Sequence, residues 1–207
     1  MVTTTFELQY WNEGITYVAG VDEAGRGPLA GPVVASAVMF DSRVRIQGID
    51  DSKKLTAQKR EALFPEIYEK AISVGIGIVT PVEIDEINIL QATFKAMNLA
   101  ISTLTPQPQH LLIDGNRFKD NGISFQTIIK GDGKSISIAA ASVIAKVTRD
   151  RLMYEFDKEY PQYGFAKHKG YGTRQHVEAI RQFGLSEIHR KSFHLKSLQT
   201  ILFEKYE

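Results

Sequence analysis

Two runs of apolar and β-branched residues near the start of the chain flank a turn rich in glycine and proline. Residues 15–22 and 33–40 have the length and composition of strands, and residues 24–32 between them hold the turn. This arrangement predicts an antiparallel hairpin. A shorter apolar stretch at residues 44–49 predicts a third strand beside it.

Helical and strand patterns alternate along the rest of the chain. Short apolar runs bounded by turn residues predict three more strands, at residues 74–79, 110–113 and 125–129. Helical patterns predict four helices, at residues 57–72, 89–104, 135–160 and 173–183. Thr56 is a suitable N-cap for the first helix, and Pro81 opens a helical stretch before the second. A hairpin followed by β/α units predicts an α/β fold with a mixed central sheet flanked by helices.

Acidic residues follow the ends of three predicted strands. Asp22 and Glu23 follow the first, and Asp114 and Asp132 follow two later ones, with glycine shortly after each. Strand ends of an α/β sheet meet at an edge where ligands collect. Four carboxylates drawn together raise one another's pKa unless a cation neutralises them, and oxygen-only ligation suits Mg²⁺ or Mn²⁺. For any single Asp-Gly pair, an ordinary β-turn is the alternative.

The turn after Asp22 and Glu23 adds groups suited to phosphate. Gly25 and Gly27 let the backbone approach a ligand closely, and Arg26 between them supplies a planar cationic fork. Two divalent ions about 4 Å apart activate a water and stabilise a leaving oxygen, so the pattern predicts phosphoryl-transfer chemistry. The alternative is a solvated turn in which Arg26 pairs with one of the two acids.

Asp150 competes with Asp132 for the position of the fourth acid. It lies within a predicted helix, four residues after Lys146, where an ion pair between the two or a surface role is the simpler explanation. Asp132 follows a strand, so we assign the fourth position to Asp132.

Composition limits the class of protein. The chain has 207 residues, enough for one well-packed domain, and its 43% hydrophobic and 24% charged residues are ordinary globular values. The absence of cysteine excludes disulfides and thiolate zinc sites. No apolar stretch reaches the roughly 18 residues of a membrane span, and the N-terminal residues show no secretion signal. These features predict a cytoplasmic protein that does not associate with membranes.

The net charge of +1 conceals an uneven distribution of charge. Residues 163–196 hold seven basic residues against two acidic ones, a net charge of +5, and the rest of the chain carries −4. Five aromatic residues are interleaved with these cations, which favours a nucleic-acid-binding segment opposite an acidic site. A solvated helical surface is the alternative.

Two other classes of protein compete with a metal-dependent enzyme. Residues 25–31 match a dinucleotide-binding glycine pattern, but a strand follows them where that motif requires a helix. The acids at 22 and 23 would also repel a pyrophosphate. A non-catalytic nucleic-acid-binding protein would explain the basic segment, but it would not explain the four acids.

Six blocks of sequence carry a family resemblance and occur in the family's order. They are DEAGRGPLAGPVV at 22–34, DSKKL at 51–55, LIDGN at 112–116, KGD at 130–132, AASVIAKVTRD at 140–150 and YGFAKHKGYGT at 163–173. Together they resemble type 2 ribonuclease H, the bacterial ribonuclease HII. The resemblance covers roughly residues 15–195, nearly the whole chain.

This resemblance implies a ribonuclease H-like fold and an activity. The expected activity is hydrolysis of the RNA strand of RNA–DNA hybrids and incision at ribonucleotides embedded in duplex DNA, by a two-metal mechanism that leaves 3′-hydroxyl and 5′-phosphate ends. The implied ligands of Mn²⁺ or Mg²⁺ are Asp22, Glu23, Asp114 and Asp132. The residues implied to recognise the ribonucleotide 2′-hydroxyl and the junction are Gly25, Arg26, Gly27 and Tyr171.

The length and the position of the basic segment also predict how the chain is organised. We expect a single monomeric domain over residues 1–207, with a catalytic core at about 15–160 and a basic helical substrate-binding segment at about 161–207. Residues 193–206 are a candidate docking segment for a replication or repair partner.

Five further residues are candidates for holding the DNA backbone, since phosphate contacts position a nucleic acid without reading its sequence. They are Ser52, Lys53, Ser142, Lys146 and Thr148. For each of these a capping or solvated role is the alternative. His168 is a possible proton shuttle, but we expect it to be structural or to face phosphate.

Overall fold

The hairpin predicted from the first two apolar runs lies at the centre of the protein. In the computed structural model, which describes residues 2–193, β1 (Val18–Ala24) and β2 (Val33–Met39) are antiparallel. Every residue of β2 is buried, as expected for an apolar strand covered on both faces. The third strand, β3 (Ser73–Val79), pairs antiparallel with the other side of β2.

Two further strands extend the sheet on the other side of β1. β4 (His110–Asp114) runs parallel to β1, and β5 (Ser124–Ile128) runs parallel to β4. The strand order is therefore β3-β2-β1-β4-β5, a mixed sheet in which β1 has neighbours on both sides. The parallel part brings the carboxyl ends of β1, β4 and β5 to one edge.

Helices cover both faces of this sheet. They are α1 (Thr5–Asn12), α2 (Ala57–Lys70), α3 (Pro81–Ser102), α4 (Ile136–Glu159), α5 (Phe165–His168) and α6 (Arg174–Phe183). Ala19 and Val21 of β1 pack with residues of α3, whereas Val18 packs with Ile138 of α4. The alternation along β1 thus directs odd-numbered side chains to α3 and even-numbered ones to α4.

Hydroxyl side chains cap the long helices. Thr56, the predicted cap, accepts from the backbone N–H of Lys59 at the start of α2. Thr80 and Glu83 form a reciprocal capping box on either side of Pro81, the residue predicted to open the helical stretch that is α3. Each such cap is worth about 1 kcal/mol of stability, which explains why these helix starts are readable in the sequence.

The contact between α3 and β3 requires two glycines. A Cβ on Gly75 would lie 2.0 Å from the carbonyl oxygen of Ala100, and one on Gly77 would lie 2.0 Å from that of Ala96. The helix backbone therefore rests directly on the strand, closer than any side chain would allow.

Several predicted elements differ from the structure. Residues 44–49 form no strand, because β3 takes the free edge of β2 and the side chains of Val44 and Ile46 pack into the apolar cluster under α2. The predicted helix at 89–104 is the second part of α3. A positive φ of 65° at Asn88 interrupts that helix, and the Asn88 carboxamide oxygen accepts from Leu90 N–H and restarts it.

The amino-terminal helix α1 was not predicted at all. Its inward face carries Glu7, which is fully buried and accepts from Ser135 Oγ and Ser137 N–H of α4. A buried carboxylate removes the apolar pattern by which a helix is recognised in a sequence. Of the predicted basic helical segment, α5 and α6 are present, and residues 194–207 lie outside the described residues.

The α/β class, with a mixed central sheet between helices, is confirmed. Within residues 2–193, none of the helices has both the length and the apolar character that crossing a bilayer requires.

Candidate active site

Strand register places two of the predicted acids side by side. The pairing of β1 with β4 ends with Val21 opposite Ile113, so the next residues along the two strands are Asp22 and Asp114. Even-numbered side chains of the two strands point to the face that α4 covers, as the packing of Leu112 with Ile138 of that helix shows. Both acids are even-numbered and therefore point to that face. The two carboxylates therefore project on the same side of the sheet edge.

Asp132 reaches the same point from a tight turn. It lies in a 3₁₀ turn, Gly131–Gly133, that follows β5, rather than directly at the strand end. Gly131 N–H donates to Asp114 Oδ1 at 2.7 Å, which fastens the turn to β4. One carboxylate oxygen from each of Asp22, Asp114 and Asp132 lies within 4.8 Å of the others. We call these three residues the carboxylate cluster.

Glu23 does not join the carboxylate cluster, although it lines the same cleft as Asp22. The expectation that the strand ends at Asp22 is wrong, because β1 continues to Ala24, and Glu23 consequently has the opposite parity. Arg26 Nη1 donates to Glu23 Oε1 at 3.3 Å. The pairing that the alternative explanation of this turn requires is thus present, and it involves Glu23 rather than Asp22.

The electrostatics of the carboxylate cluster are strained. Asp22 is only 4% exposed. Burial, and then the charges of Glu23 and Asp114, raise the pKa of its carboxyl group well above the usual range. Burial and then the charge of Asp114 raise the pKa of Asp132. Lys53 Nζ lies 3.8 Å from Asp132 Oδ2, and its charge opposes this rise.

These three acids fit a divalent cation. They offer hard oxygen ligands, they converge from three separate elements, and they repel one another unless positive charge lies between them. A single lysine at the rim does not balance them.

The cleft next to the acids has a volume of about 190 Å³. Eight of the nine predicted substrate-binding residues line it. They are Gly25, Arg26, Gly27, Ser52, Lys53, Ser142, Lys146 and Tyr171. Thr148 does not line this cleft, and its hydroxyl is buried without a hydrogen-bond partner among the described residues.

Two contacts join the loop at residues 51–55 to α4. Ser142 Oγ donates to Ser52 Oγ at 2.6 Å, and Ser52 N–H donates to Ser142 Oγ at 3.4 Å. Within α4 itself, Lys146 Nζ donates to Asp150 Oδ1 at 2.7 Å. The predicted pair between Lys146 and Asp150 is therefore present. Arg60 reaches Asp150 from the other side at 3.8 Å, so Asp150 is a buried partner of two cations and not a surface residue.

Gly25, Gly27 and Tyr171 form one side of the cleft. Gly25 has φ +99°, and a Cβ there would lie 2.2 Å from Arg149 Nε, so only glycine fits. A Cβ on Gly27 would lie 3.6 Å from Tyr171 Cε1, which is ordinary contact distance. The Tyr171 side chain, in a residue 47% exposed, faces this glycine.

Two buried arginines that the sequence analysis missed hold this loop from behind. Arg190 donates to the carbonyl oxygens of Gly25, Arg26 and Gly31. Arg149 donates to those of Ala30, Pro32 and Lys169. Neither forms an ion pair with a carboxylate among residues 2–193. We call Arg149 and Arg190 the arginine anchor.

The arginine anchor orients the amides of the loop. Because a trans peptide directs its C=O and N–H oppositely, the carbonyls of Gly25 and Arg26 turned towards Arg190 leave the N–H groups of Arg26 and Gly27 facing away from it. These two N–H groups have no hydrogen-bond partner in the described part of the chain. No spacing rule singles out Arg190, which the sequence shows as one cation in a basic segment.

Comparisons with known proteins identify the family to which the chain belongs. The sequence model of a family described as Ribonuclease HII matches residues 19–196. The Ribonuclease HII of Acetivibrio thermocellus is 58% identical over 188 residues, which are 91% of this chain and 73% of that protein.

Two solved structures share the fold. The ribonuclease H2 of Pyrococcus horikoshii OT3 superposes with a TM-score of 0.75 at 30% identity, covering 92% of this chain and 99% of that one. The RNase HII of Archaeoglobus fulgidus, described in a complex with PCNA, gives a TM-score of 0.74 at 26% identity, covering 87% and 96%. The fold is that of ribonuclease H, and the chain belongs to the ribonuclease HII family of RNase H endonucleases.

Proposed function

We propose that this ribonuclease H hydrolyses the RNA strand of RNA–DNA hybrids and also incises duplex DNA at single embedded ribonucleotides. The observation that carries the proposal is the carboxylate cluster at the end of a cleft whose other side is Gly25, Gly27 and Tyr171. It joins a site for cations to a surface able to sense a sugar.

The proposed ligands of Mg²⁺ or Mn²⁺ are the carboxylate cluster and Glu23. Mutual repulsion and burial of the acids favour this assignment, and release of Glu23 from Arg26 would free its carboxylate. When bound, two such ions supply activation of a water and charge stabilisation at the leaving oxygen.

The chain's own residues bind and orient the nucleic acid. Arg26, Lys53 and Lys146 bring three cations to the cleft, where they can contact phosphates on either side of the scissile bond. The Ser52–Ser142 contact holds the loop carrying Lys53 against α4. Thr148 remains the weakest of the proposed backbone contacts, because it lies away from the cleft lining.

Recognition of the 2′-hydroxyl is proposed for the loop and the tyrosine. The N–H groups of Arg26 and Gly27 have no hydrogen-bond partner within residues 2–193, and a hydroxyl can accept from either of them. The ring of Tyr171 beside Gly27 can pack against the sugar that carries this hydroxyl. An all-DNA strand offers no such acceptor.

The decisive test uses duplexes of one sequence that contain no ribonucleotide, one ribonucleotide, a run of four, or a complete RNA strand. We expect cleavage of all but the first, with Mg²⁺ or Mn²⁺ and not with EDTA. Products should carry 3′-hydroxyl and 5′-phosphate ends, detected by polymerase extension and by phosphatase-dependent relabelling. A 2′,3′-cyclic phosphate product would overturn the mechanism, and retained binding without cleavage would indicate a pure nucleic-acid binder.

Tyr171→Ala tests the recognition surface. Because Tyr171 is half exposed, the variant should keep its melting temperature, and cleavage of the single-ribonucleotide duplex should be badly impaired while affinity for all-DNA duplex changes little. A large fall in melting temperature with unchanged specificity would instead make Tyr171 a packing residue.

We also propose the wider organisation expected from the sequence. It comprises one monomeric cytoplasmic domain over residues 1–207, with the core at about 15–160 and the substrate-binding segment at about 161–207. The description of the Archaeoglobus relative in a complex with PCNA supports a replication partner for residues 193–206, of which 194–206 lie outside the described residues.

A further inference from the structure

Three buried histidines lie behind the loop that carries Tyr171. They are His168, His176 and His189. The rings of His168 and His176 stack with centroids 4.4 Å apart, and Nε2 of His176 lies 3.0 Å from Nε2 of His189. None of the three lines the cleft, so the mechanism proposed above gives them no part.

The hydrogen bonds determine where each ring proton must be. Ser186 N–H donates to His189 Nδ1 at 2.9 Å, so that nitrogen carries no proton and a neutral His189 has its proton on Nε2. His189 Nε2–H then donates to His176 Nε2. The proton of a neutral His176 is therefore on Nδ1, which lies 3.0 Å from the carbonyl oxygen of Tyr171 and donates to it.

His168 is oriented by the same reasoning. Gly170 N–H donates to His168 Nδ1 at 3.2 Å, so the proton of a neutral His168 is on Nε2 and is donated to the Tyr163 carbonyl at 2.8 Å. Both nitrogens of His168 are occupied by backbone groups. The three rings consequently do not converge on a metal ion, and the described residues offer a converging ligand set only at the carboxylate cluster.

Burial keeps these rings neutral. Burial, and then the neighbouring histidines, lower the pKa of His176 and of His189 to about 4. Burial also lowers the pKa of His168, so at neutral pH each of the three rings carries one proton, and the direction of every hydrogen bond in the chain is determined.

We propose that His176 is a positioning residue for Tyr171, and that His189 acts through it by keeping the His176 proton on Nδ1. The hydrogen bond from His176 adds to that from Thr173 N–H on the Tyr171 carbonyl. Together with Leu29 N–H on the Gly170 carbonyl, it holds the backbone from behind and leaves the Tyr171 ring facing Gly27. The enzymatic part of this inference rests on the proposed function of Tyr171.

The protonation pattern is tested directly by long-range ¹H–¹⁵N correlation spectra of the full-length protein labelled at histidine, near pH 7 and without substrate. We expect His176 as the Nδ1–H form and both His168 and His189 as Nε2–H forms. An Nε2–H form of His176 would overturn the inference, whatever the enzyme's substrate proves to be.

The positioning role is tested by two substitutions of nearly equal size. His176→Asn places an amide N–H near the position of Nδ1, whereas His176→Leu has no donor. We expect His176→Leu to lower kcat/KM on the single-ribonucleotide duplex by roughly tenfold. His176→Asn should keep a kcat/KM close to that of the wild type. Affinity for all-DNA duplex should change in neither.

His110→Leu is the control for a buried histidine that does not contact the loop. His110 stacks on Tyr10 and contacts Ser124, so its loss should lower the melting temperature without changing kcat/KM on the folded fraction. Equal losses of kcat/KM in His176→Asn and His176→Leu, in proportion to melting temperature, would overturn the positioning role. If Tyr171→Ala cleaves normally while the spectra agree, the proposed function of Tyr171 fails and the hydrogen-bond chain stands.

Discussion

The carboxylate cluster and the arginine anchor adjoin the same cleft, but their buried charges are compensated to different extents. The cluster brings like charges within 4.8 Å of one another, and burial raises the pKa of Asp22. The anchor buries two guanidinium groups in residues that are 1% and 2% exposed, and satisfies each with three neutral carbonyl oxygens.

The contrast explains how the site keeps its negative charge. A buried arginine near acids would normally pair with them and remove the need for another cation. Here the donors of Arg149 and Arg190 are occupied by loop carbonyls, so they make the loop rigid and leave the acids unneutralised. Unfavourable charge is thus confined to the place where a cation is needed, while the carbonyl groups of the loop beside it are bonded to the arginine anchor.

The largest effect should come from removing charge in the cluster. Asp22→Asn keeps the contact to Glu23 N–H but loses a metal ligand, so we expect turnover to fall on the order of a thousandfold or more. In EDTA the same change should raise the free energy of unfolding, since it relieves repulsion between the acids. Denaturant titration and single-turnover cleavage measure the two effects.

Asp114→Asn and Asp132→Asn should lose turnover in the same way, with substrate binding intact or tighter. Asp120→Asn is the matched control, because Asp120 is exposed and its Oδ1 contact to Gly122 N–H is one that Asn can also make. If Asp22→Asn were less stable than wild type in EDTA, the cluster would not be strained.

The anchor should respond in the opposite direction. Arg190→Met leaves three carbonyl oxygens without their donor, so we expect a loss of about 3–5 kcal/mol in the free energy of unfolding together with impaired cleavage. Arg190→Lys should recover only part of both, because one ammonium cannot reproduce the guanidinium fork. Arg151→Met, at an exposed pair with Glu61, should cost less than about 1 kcal/mol. Equal stability of Arg190→Met and Arg151→Met would show that the arginine anchor does not stabilise the loop.

Two alanine substitutions separate loop shape from loop contact. Gly25→Ala requires a side chain at φ +99° and 2.2 Å from Arg149, so we expect a loss of about 2–3 kcal/mol in stability. Gly27→Ala meets only Tyr171 at 3.6 Å and should leave the melting temperature unchanged while reducing cleavage. Similar melting temperatures for the two variants would contradict the close approach of the anchor to Gly25.

The smallest expected effect is a loss of stability at acidic pH. The pKa values of His176 and His189 in the folded protein are about 4, below the value of 6.5 in the unfolded chain. Their stability contribution is therefore complete above pH 6.5 and is lost as pH falls towards 4, by about 1 kcal/mol per histidine at pH 5.5.

Chemical denaturation at pH 7.5 and pH 5.5 measures this slope. The raised pKa of Asp22 acts with the opposite sign, so the comparison to make is between wild type and His176→Asn, whose stability should depend less on pH over this interval. A variant slope equal to that of wild type would mean that His176 is not neutral by burial.

The sheet and its acids were predictable because they depend on local signals. Apolar strands bounded by turns are visible in the chain, and the end of each parallel strand is directed to the same edge whatever the distant contacts are. Asp22, Asp114 and Asp132 therefore converge as expected. The position of Glu23 was less predictable, because it depended on β1 continuing to Ala24 through its pairing with β2.

The residues that hold the site in place could not be predicted from the sequence in the same way. Arg190 contacts carbonyls that are about 160 residues distant in sequence, and Glu7 contacts Ser135 from the other end of the chain. Such residues look like surface charges until the fold brings their partners to them. The three histidines had the same appearance, since burial and not spacing determines their role.

The position of the acids on the sheet has a consequence for hydrogen exchange. β1 is bonded on both sides, whereas β5 is an edge strand whose first two residues are exposed. Amides of β1 should exchange only through global unfolding, and those of β5 through local opening. Asp22 lies in β1, whereas Asp132 lies in the turn that follows β5, so the two acids are joined to strands of unequal local stability. A divalent ion shared between them should slow exchange chiefly in β5 and the first turn of α4.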